Sequence, residues 1–152
     1  MIKLSDYIGL QNIAFETKAE SELDALSFMI DLAEQSGFVK NKKALASDLL
    51  THEIISSSAR GCCAIVFRVS SESVLRLQTF FTRFNKGIGY YSKSGHPIDL
   101  IFLVTSPLEQ IKQCKLLVEK LENLILNDQT FRQKLRKAES AEEVLSMLKQ
   151  IE

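Results

Sequence analysis

Hydrophobic residues change their spacing twice along the chain. Leu23, Leu26, Ile30 and Ala33 recur at the three- and four-residue spacing of an amphipathic helix, and Gly37 stands where that helix can stop. Thr17-x-x-Glu20 and Ser21-x-x-Asp24 both have the form of a capping box ahead of it. A short helix over Lys3–Ile8 and a short strand around Ile13–Phe15 are expected before this point. A helix capped by Asn41, carrying Ala44, Leu45, Asp48, Leu49 and His52, is expected after it. The middle of the chain has a different pattern. Cys62–Phe67 is a buried-strand run that stops at Arg68, and Ile98–Val104 is apolar almost throughout, as in a strand covered on both faces. Val74–Phe84 reads as a further extended stretch, with Phe80, Phe81 and Phe84 in the core. Gly87–Tyr91 reads as a turn and short edge segment, and Ser94-Gly95-His96-Pro97 as a turn.

The last third is helical again. Ser106-Pro107-Leu108-Glu109 predicts a helix start with an N-cap serine and proline in the first position. Ile111, Cys114, Leu117, Val118, Leu121, Leu124 and Ile125 line one face of that helix. A helix from Asp128 to Ala138 presents Phe131 and Leu135, and Ser140-x-x-Glu143 caps a final one. Strands in the middle with helices at both ends predict an α/β fold, a mixed sheet between helical layers, in a single domain over residues 1–152.

Composition narrows the function classes. Lys plus Arg number 19 and Asp plus Glu number 19, so formal net charge is zero and there is no basic excess for nucleic-acid binding. The 3 cysteines, Cys62, Cys63 and Cys114, are odd in number with two adjacent, a poor disulfide framework. With only His52 and His96 as imidazoles no zinc spacing exists, and neither a metal nor a cofactor is expected. No apolar leader follows Met1, and Cys62–Phe67 and Leu100–Val104 are too short to cross a bilayer. The expectation is a cytoplasmic protein with reduced thiols and no membrane partner.

Candidate chemistry is sparse. His52 reads as a surface residue at a helix end, and His96 as a turn residue with no nucleophile paired to it. Cys62 and Cys63 read as small buried apolar residues, although Arg60 or Arg68 nearby would lower a thiol pKa. Ser56–Ser58 has no adjacent general base. Gly87-Ile88-Gly89 is too short for a nucleotide fingerprint, and Lys134–Lys137 reads as a solvated helix face.

Met1–Ile8, Ile13-Ala14-Phe15, Lys18–Ser21, Ser36–Val39 and Asp48–Glu53 together resemble the type-2 EIIA domain of the bacterial phosphotransferase system. This is the fructose/mannitol and nitrogen-regulatory class. The strongest stretch is Thr82–Val104, "TRFNKGIGYYSKSGHPIDLIFLV", and the tail "NDQTFRQKLRKAESAEEVLSML" resembles the family's ending. The resemblance covers essentially the whole chain, and it implies a mixed five-stranded sheet flanked by helices on both faces. It also implies a phosphoryl group carried on one histidine, received from phospho-HPr and passed to an EIIB or kept as a regulatory mark. That histidine follows a buried strand in a pattern like S-T-G-I-G-x-G-[IV]-A-[IV]-P-H. A second histidine near the start of the long helix after the last strand assists in many members.

The departures fall on the functional residues. With Glu53 on the family's matching glutamate, Ser56–Gly61 occupies the S-T-G-I-G region and Ala64–Val66 the strand. Phe67 then stands at the proline and Arg68 at the phosphorylated histidine, while a register two residues off places Val66 there. Neither accepts a phosphoryl group. The helical histidine is also missing, its region reading Gln110–Lys115 with the register open. A guanidinium stays protonated and lacks a nucleophilic lone pair, but it can hold a phosphate or carboxylate bidentately. The resulting reading is a nitrogen-regulatory EIIA-like, non-phosphorylatable regulatory or interaction module with no catalytic residue. Its candidate anion pocket is Ser57, Ser58, Arg60 and Arg68, and its partner is an HPr-like phosphocarrier, a kinase or a transporter. A solvated strand-end arginine is the competing reading of Arg68. The alternatives are a working phosphocarrier using His96 or Cys63, and a phosphate-binding sensor.

Overall fold

A computed structural model describes residues 2–17, 22–51, 64–88 and 98–151. Their order is a 3-10 turn (Leu4–Tyr7), a second (Leu10–Asn12), β1 (Ile13–Thr17), α1 (Glu22–Gln35), α2 (Lys42–Thr51), β2 (Ala64–Ser70), β3 (Gln78–Ile88) and β4 (Ile98–Ser106). A 3-10 turn (Leu108–Gln110) then leads into α3 (Ile111–Asn127), α4 (Gln129–Lys137) and α5 (Ala141–Gln150).

The sheet order is β1-β3-β4-β2. β1 pairs parallel to β3, β3 antiparallel to β4, and β2 parallel to β4, so the sheet is mixed. The side chains of alternate strand residues point to opposite faces, and this divides the core in two. Ala64, Val66, Phe81, Leu100, Phe102 and Val104 pack under α3, α4 and α5. Ile65, Phe67, Phe80, Phe84, Ile101 and Leu103 pack under α1 and α2. Helices therefore cover both faces, as the alternation of apolar runs predicts. β4 lies between two strands and is buried from Leu100 to Ser106, which explains its lack of polar positions at the centre.

The described residues form 4 strands, not five. Of the expected edge segment at Gly87–Tyr91, Gly87 and Ile88 continue β3, and Ile88 pairs with Ile98 of β4. Residues 89–97 lie outside the description. The extended stretch from Val74 enters the sheet only at Gln78, because Val74 makes an isolated bridge to Val39 first.

Local signals account for most helix ends. Asn41 accepts from the Ala44 amide at 3.1 Å, Asp128 from Phe131 at 3.0 Å and Ser140 from Glu143 at 3.2 Å, each supplying an acceptor that a helix start lacks. Gly37 ends the α1 turn at φ 85°, a conformation that costs other residues. Ser106 departs from the expected pattern. It pairs with Ser70 as the last residue of β4, and its hydroxyl donates to the Pro107 carbonyl at 2.7 Å, so it does not cap α3.

Candidate functional site

β2 begins at Ala64 among the described residues and runs past the end of the apolar run, through Arg68 and Val69 to Ser70. Arg68 is thus not a residue after the strand. It is inside the ladder, opposite Val104 of β4. Polarity suggested a stop at Arg68, but the strand alternates there. Val69 is buried toward α1 and α2, whereas Arg68 and Ser70 are half-buried on the face of Ala64 and Val66, under α3. A solvated arginine beyond a strand end is not what the structure holds.

α3 supplies the other side of this site. Of the stretch Gln110–Lys115, Cys114 is the residue that turns inward and is fully buried, while Ile111, Lys112, Gln113 and Lys115 are exposed. Its helical phase with Leu117, Val118 and Leu121 fixes that orientation. Burial pushes the Cys114 thiol up from its ordinary pKa, against the opposing charge of Arg68 and the hydroxyls of Ser106 and Ser70. Farther along the same helix, Glu122 is half-buried. Burial raises its carboxyl pKa, the Arg68 charge lowers it, and neighbouring Glu119 raises it. One guanidinium therefore influences a thiol and a carboxylate on the helix that crosses it.

Among the described residues the arrangement offers charge recognition through Arg68. The thiol is buried and protonated, and no imidazole stands beside it among the described residues. Arg68 and Glu122 influence each other electrostatically, yet neither forms a hydrogen bond or ion pair among the described residues. No group of three or more metal-ligating side chains occurs among them either. Ser57, Ser58, Arg60, Cys62, Cys63, His52 and His96 lie outside the described residues, and of the anion-pocket set only Arg68 is placed.

Sequence reasoning missed Glu122 as a carboxylate that Arg68 influences, and Ser70 and Ser106 as hydroxyls that act on Cys114. Glu122 is far from Arg68 in sequence, and only the packing of α3 over β2 and β4 joins them. The signal that was available was the helical phase of Cys114 with Leu117, Val118 and Leu121. A second serine, Ser71, is buried at the end of β2 and donates to Asp48 Oδ2 of α2 at 2.5 Å, with Ser73 Oγ at 2.9 Å. That cluster ties α2 to the sheet.

The family model described as "Phosphoenolpyruvate-dependent sugar phosphotransferase system, EIIA 2" matches residues 6–151. A fructose-specific EIIABC component of Bacillus subtilis is 20% identical over 98% of this chain, which spans 23% of that longer protein. A nitrogen regulatory protein of Bradyrhizobium diazoefficiens is 25% identical over 95% of this chain and 94% of its own length. Among solved structures, the nitrogen regulatory protein IIA-Ntr of Neisseria meningitidis superposes with TM-score 0.76 at 19% identity, covering 95% of this chain and 97% of that one. The mannitol IIA of Escherichia coli, solved in complex with phosphorylated IIB, superposes with TM-score 0.70 at 20% identity over 93% and 96% of the two chains. These structural likenesses show a shared fold.

Proposed function

The chain belongs to the EIIA type-2 family of the phosphoenolpyruvate-dependent sugar phosphotransferase system, and on that premise we propose that it is a nitrogen-regulatory type of EIIA that does not carry a phosphoryl group. It works instead as a regulatory interaction module. The observation that carries this reading is Arg68. It stands where the motif read from the sequence expects the phosphoryl-accepting histidine, on the strand face under α3, and its charge acts on Cys114 and Glu122.

Phosphoryl acceptance requires a lone pair aligned with the phosphorus and a bond labile enough for onward transfer. A guanidinium offers neither. Cys114 is the inward residue in the stretch that corresponds to the family's assisting histidine, and its buried, protonated thiol does not replace an imidazole. The family fold supplies the surface on which such a module meets another protein. The mannitol IIA offers a precedent, since it is solved bound to a partner IIB. A cytoplasmic location agrees with this role, and no helix among the described residues is long and apolar enough to cross a membrane.

The test is charging. With phosphoenolpyruvate, enzyme I and HPr present and HPr shown to be phosphorylated, the intact mass of this chain stays unchanged. Stoichiometric gain of one phosphoryl group would overturn the reading and direct attention to His96 or Cys63.

A further inference from the structure

The first 3-10 turn, the segment entering β3 and the turn before α3 line one open cavity of about 250 Å³. Its walls are Asp6, Tyr7, Arg76, Leu77, Gln78 and Gln110. That set holds one carboxylate, one guanidinium, a phenol and two carboxamides. Its buried part is fixed in advance. Gln78 is 7% exposed; its Oε1 accepts from the buried Asn12 Nδ2 at 2.9 Å, and its Nε2 donates to the Leu77 carbonyl at 2.9 Å. These bonds set the amide plane and leave one Nε2 hydrogen unused. Arg76 is exposed, and its guanidinium lies 5.2 Å from the centroid of the Phe38 ring. The Leu75 amide donates to the Phe38 carbonyl at 2.8 Å, which holds the two segments together. A ring occupies the face of a guanidinium and leaves its N–H edge for a carboxylate. Asp6 is exposed on the first turn, where its amide donates to the Lys3 carbonyl at 3.2 Å. Asp6 and Arg76 form no ion pair with each other.

A carboxylate and a guanidinium that share a cavity without neutralising each other suit a ligand that carries both charges. A simple anion meets Asp6 there, and a simple cation meets Arg76. The volume is below the roughly 300–1,000 Å³ of sites for drug-sized ligands, which excludes a nucleotide or a folded partner. We propose that this cavity binds a free α-amino acid with a short, uncharged polar side chain. Arg76 takes the ligand carboxylate, and Asp6 and the Tyr7 hydroxyl take its ammonium. The Gln78 and Gln110 carboxamides take the side chain, since each can both donate and accept. The ligand binds and leaves intact. The site does not use Arg68, so it goes beyond the proposed function by giving the interaction module a small-molecule input.

The experiment is a titration of the isotope-labelled full chain with L-asparagine, L-serine and L-threonine, followed by amide chemical shifts. At least one should produce saturable shifts at Asp6, Tyr7, Arg76–Gln78 and Gln110, with a Kd below about 1 mM. The N-acetyl derivative of that amino acid lacks the ammonium, and its methyl ester lacks the carboxylate. Each should bind about tenfold more weakly or worse, the worth of one charge-assisted hydrogen bond. Asp6→Asn and Arg76→Gln should weaken the unmodified ligand by the same factor, and their spectra report whether they fold. Should a variant not fold, the blocked ligands on wild type decide. No saturable shift from any of the three up to about 10 mM, shifts confined to other amides, or equal affinity for the blocked ligands would each overturn the proposal. Failure of the proposed function shows separately, as mass gain in the charging assay.

Discussion

Replacing Arg83 should destabilise the fold by releasing the C-terminus of α4 from the sheet. Arg83 leaves β3 half-buried, and its Nη1 donates to the carbonyls of Leu135 at 2.8 Å, Arg136 at 2.8 Å and Ala138 at 2.9 Å. Those are the orphaned carbonyls at the C-terminus of α4, where the helix dipole favours a cation. The guanidinium also lies 4.6 Å from the centroid of the Phe15 ring, which fixes its plane. Three acceptors share the two hydrogens of one nitrogen, so the contacts do not count as three full bonds. Charge-assisted bonds contribute about 1.5–3 kcal/mol each, and discounting for partial exposure leaves about 2–3 kcal/mol for the cluster. The ring contact adds about 0.5 kcal/mol. Arg83→Met keeps the aliphatic stem and removes both effects. A loss of about 2.5–3.5 kcal/mol lowers the melting midpoint by roughly 5–14 °C in a domain of this length. Urea unfolding followed by circular dichroism measures the free energy, and amide exchange locates it. The α4 amides should lose protection before those of β4. A midpoint within about 1 °C of wild type would show that water replaces these contacts at no cost, and the argument would be wrong.

Other expectations follow from single features. Glu122 has a raised folded-state pKa, so its favourable contribution is complete below its unfolded value of 4.5 and is lost as pH rises through the folded value. Glu122→Gln should therefore match or exceed wild-type stability at pH 7, with the gap closing below pH 4.5 in a pH series of melts; a large loss at neutral pH would contradict the assigned cause. Cys114 is fully buried with a raised thiol pKa, so in a Cys62→Ser, Cys63→Ser background it should react with a disulfide reagent only as fast as the protein opens. Rapid labelling at pH 8 would show that α3 leaves the thiol accessible. Ser140→Ala removes the acceptor for the Glu143 amide and should cost about 1 kcal/mol in urea unfolding, where no change would mean that the α5 start is already satisfied by water.

The sequence was most legible where structure is local. Asn41, Asp128 and Ser140 cap helices because their side-chain acceptors reach amides three residues on, and spacing alone reveals that. The continuous apolar run of β4 announced a strand buried on both faces. Reading failed where neighbours in space decide. Ser106 has the form of an N-cap, but pairing with Ser70 holds it in the sheet. Arg68 has the form of a strand terminator, but α3 above it shelters a charged residue in the ladder. Gly87 and Ile88, expected to begin an edge segment, continue β3 because β4 offers further pairing at Ile98. Of the site, Arg68 could be singled out by comparison with the family's motif, whereas Glu122 could not, because nothing in local spacing links it to β2.

The central claim is that this EIIA-type fold has kept its architecture and lost its phosphoryl acceptor, with Arg68 under α3 in the acceptor's place. Its most direct test is intact-mass measurement of the wild-type chain after prolonged incubation with excess phosphorylated HPr, beside an EIIA that retains the histidine. The account predicts full charging of the comparison protein and an unchanged mass for this chain. A stoichiometric phosphoryl adduct on this chain, formed on the same timescale, would contradict it.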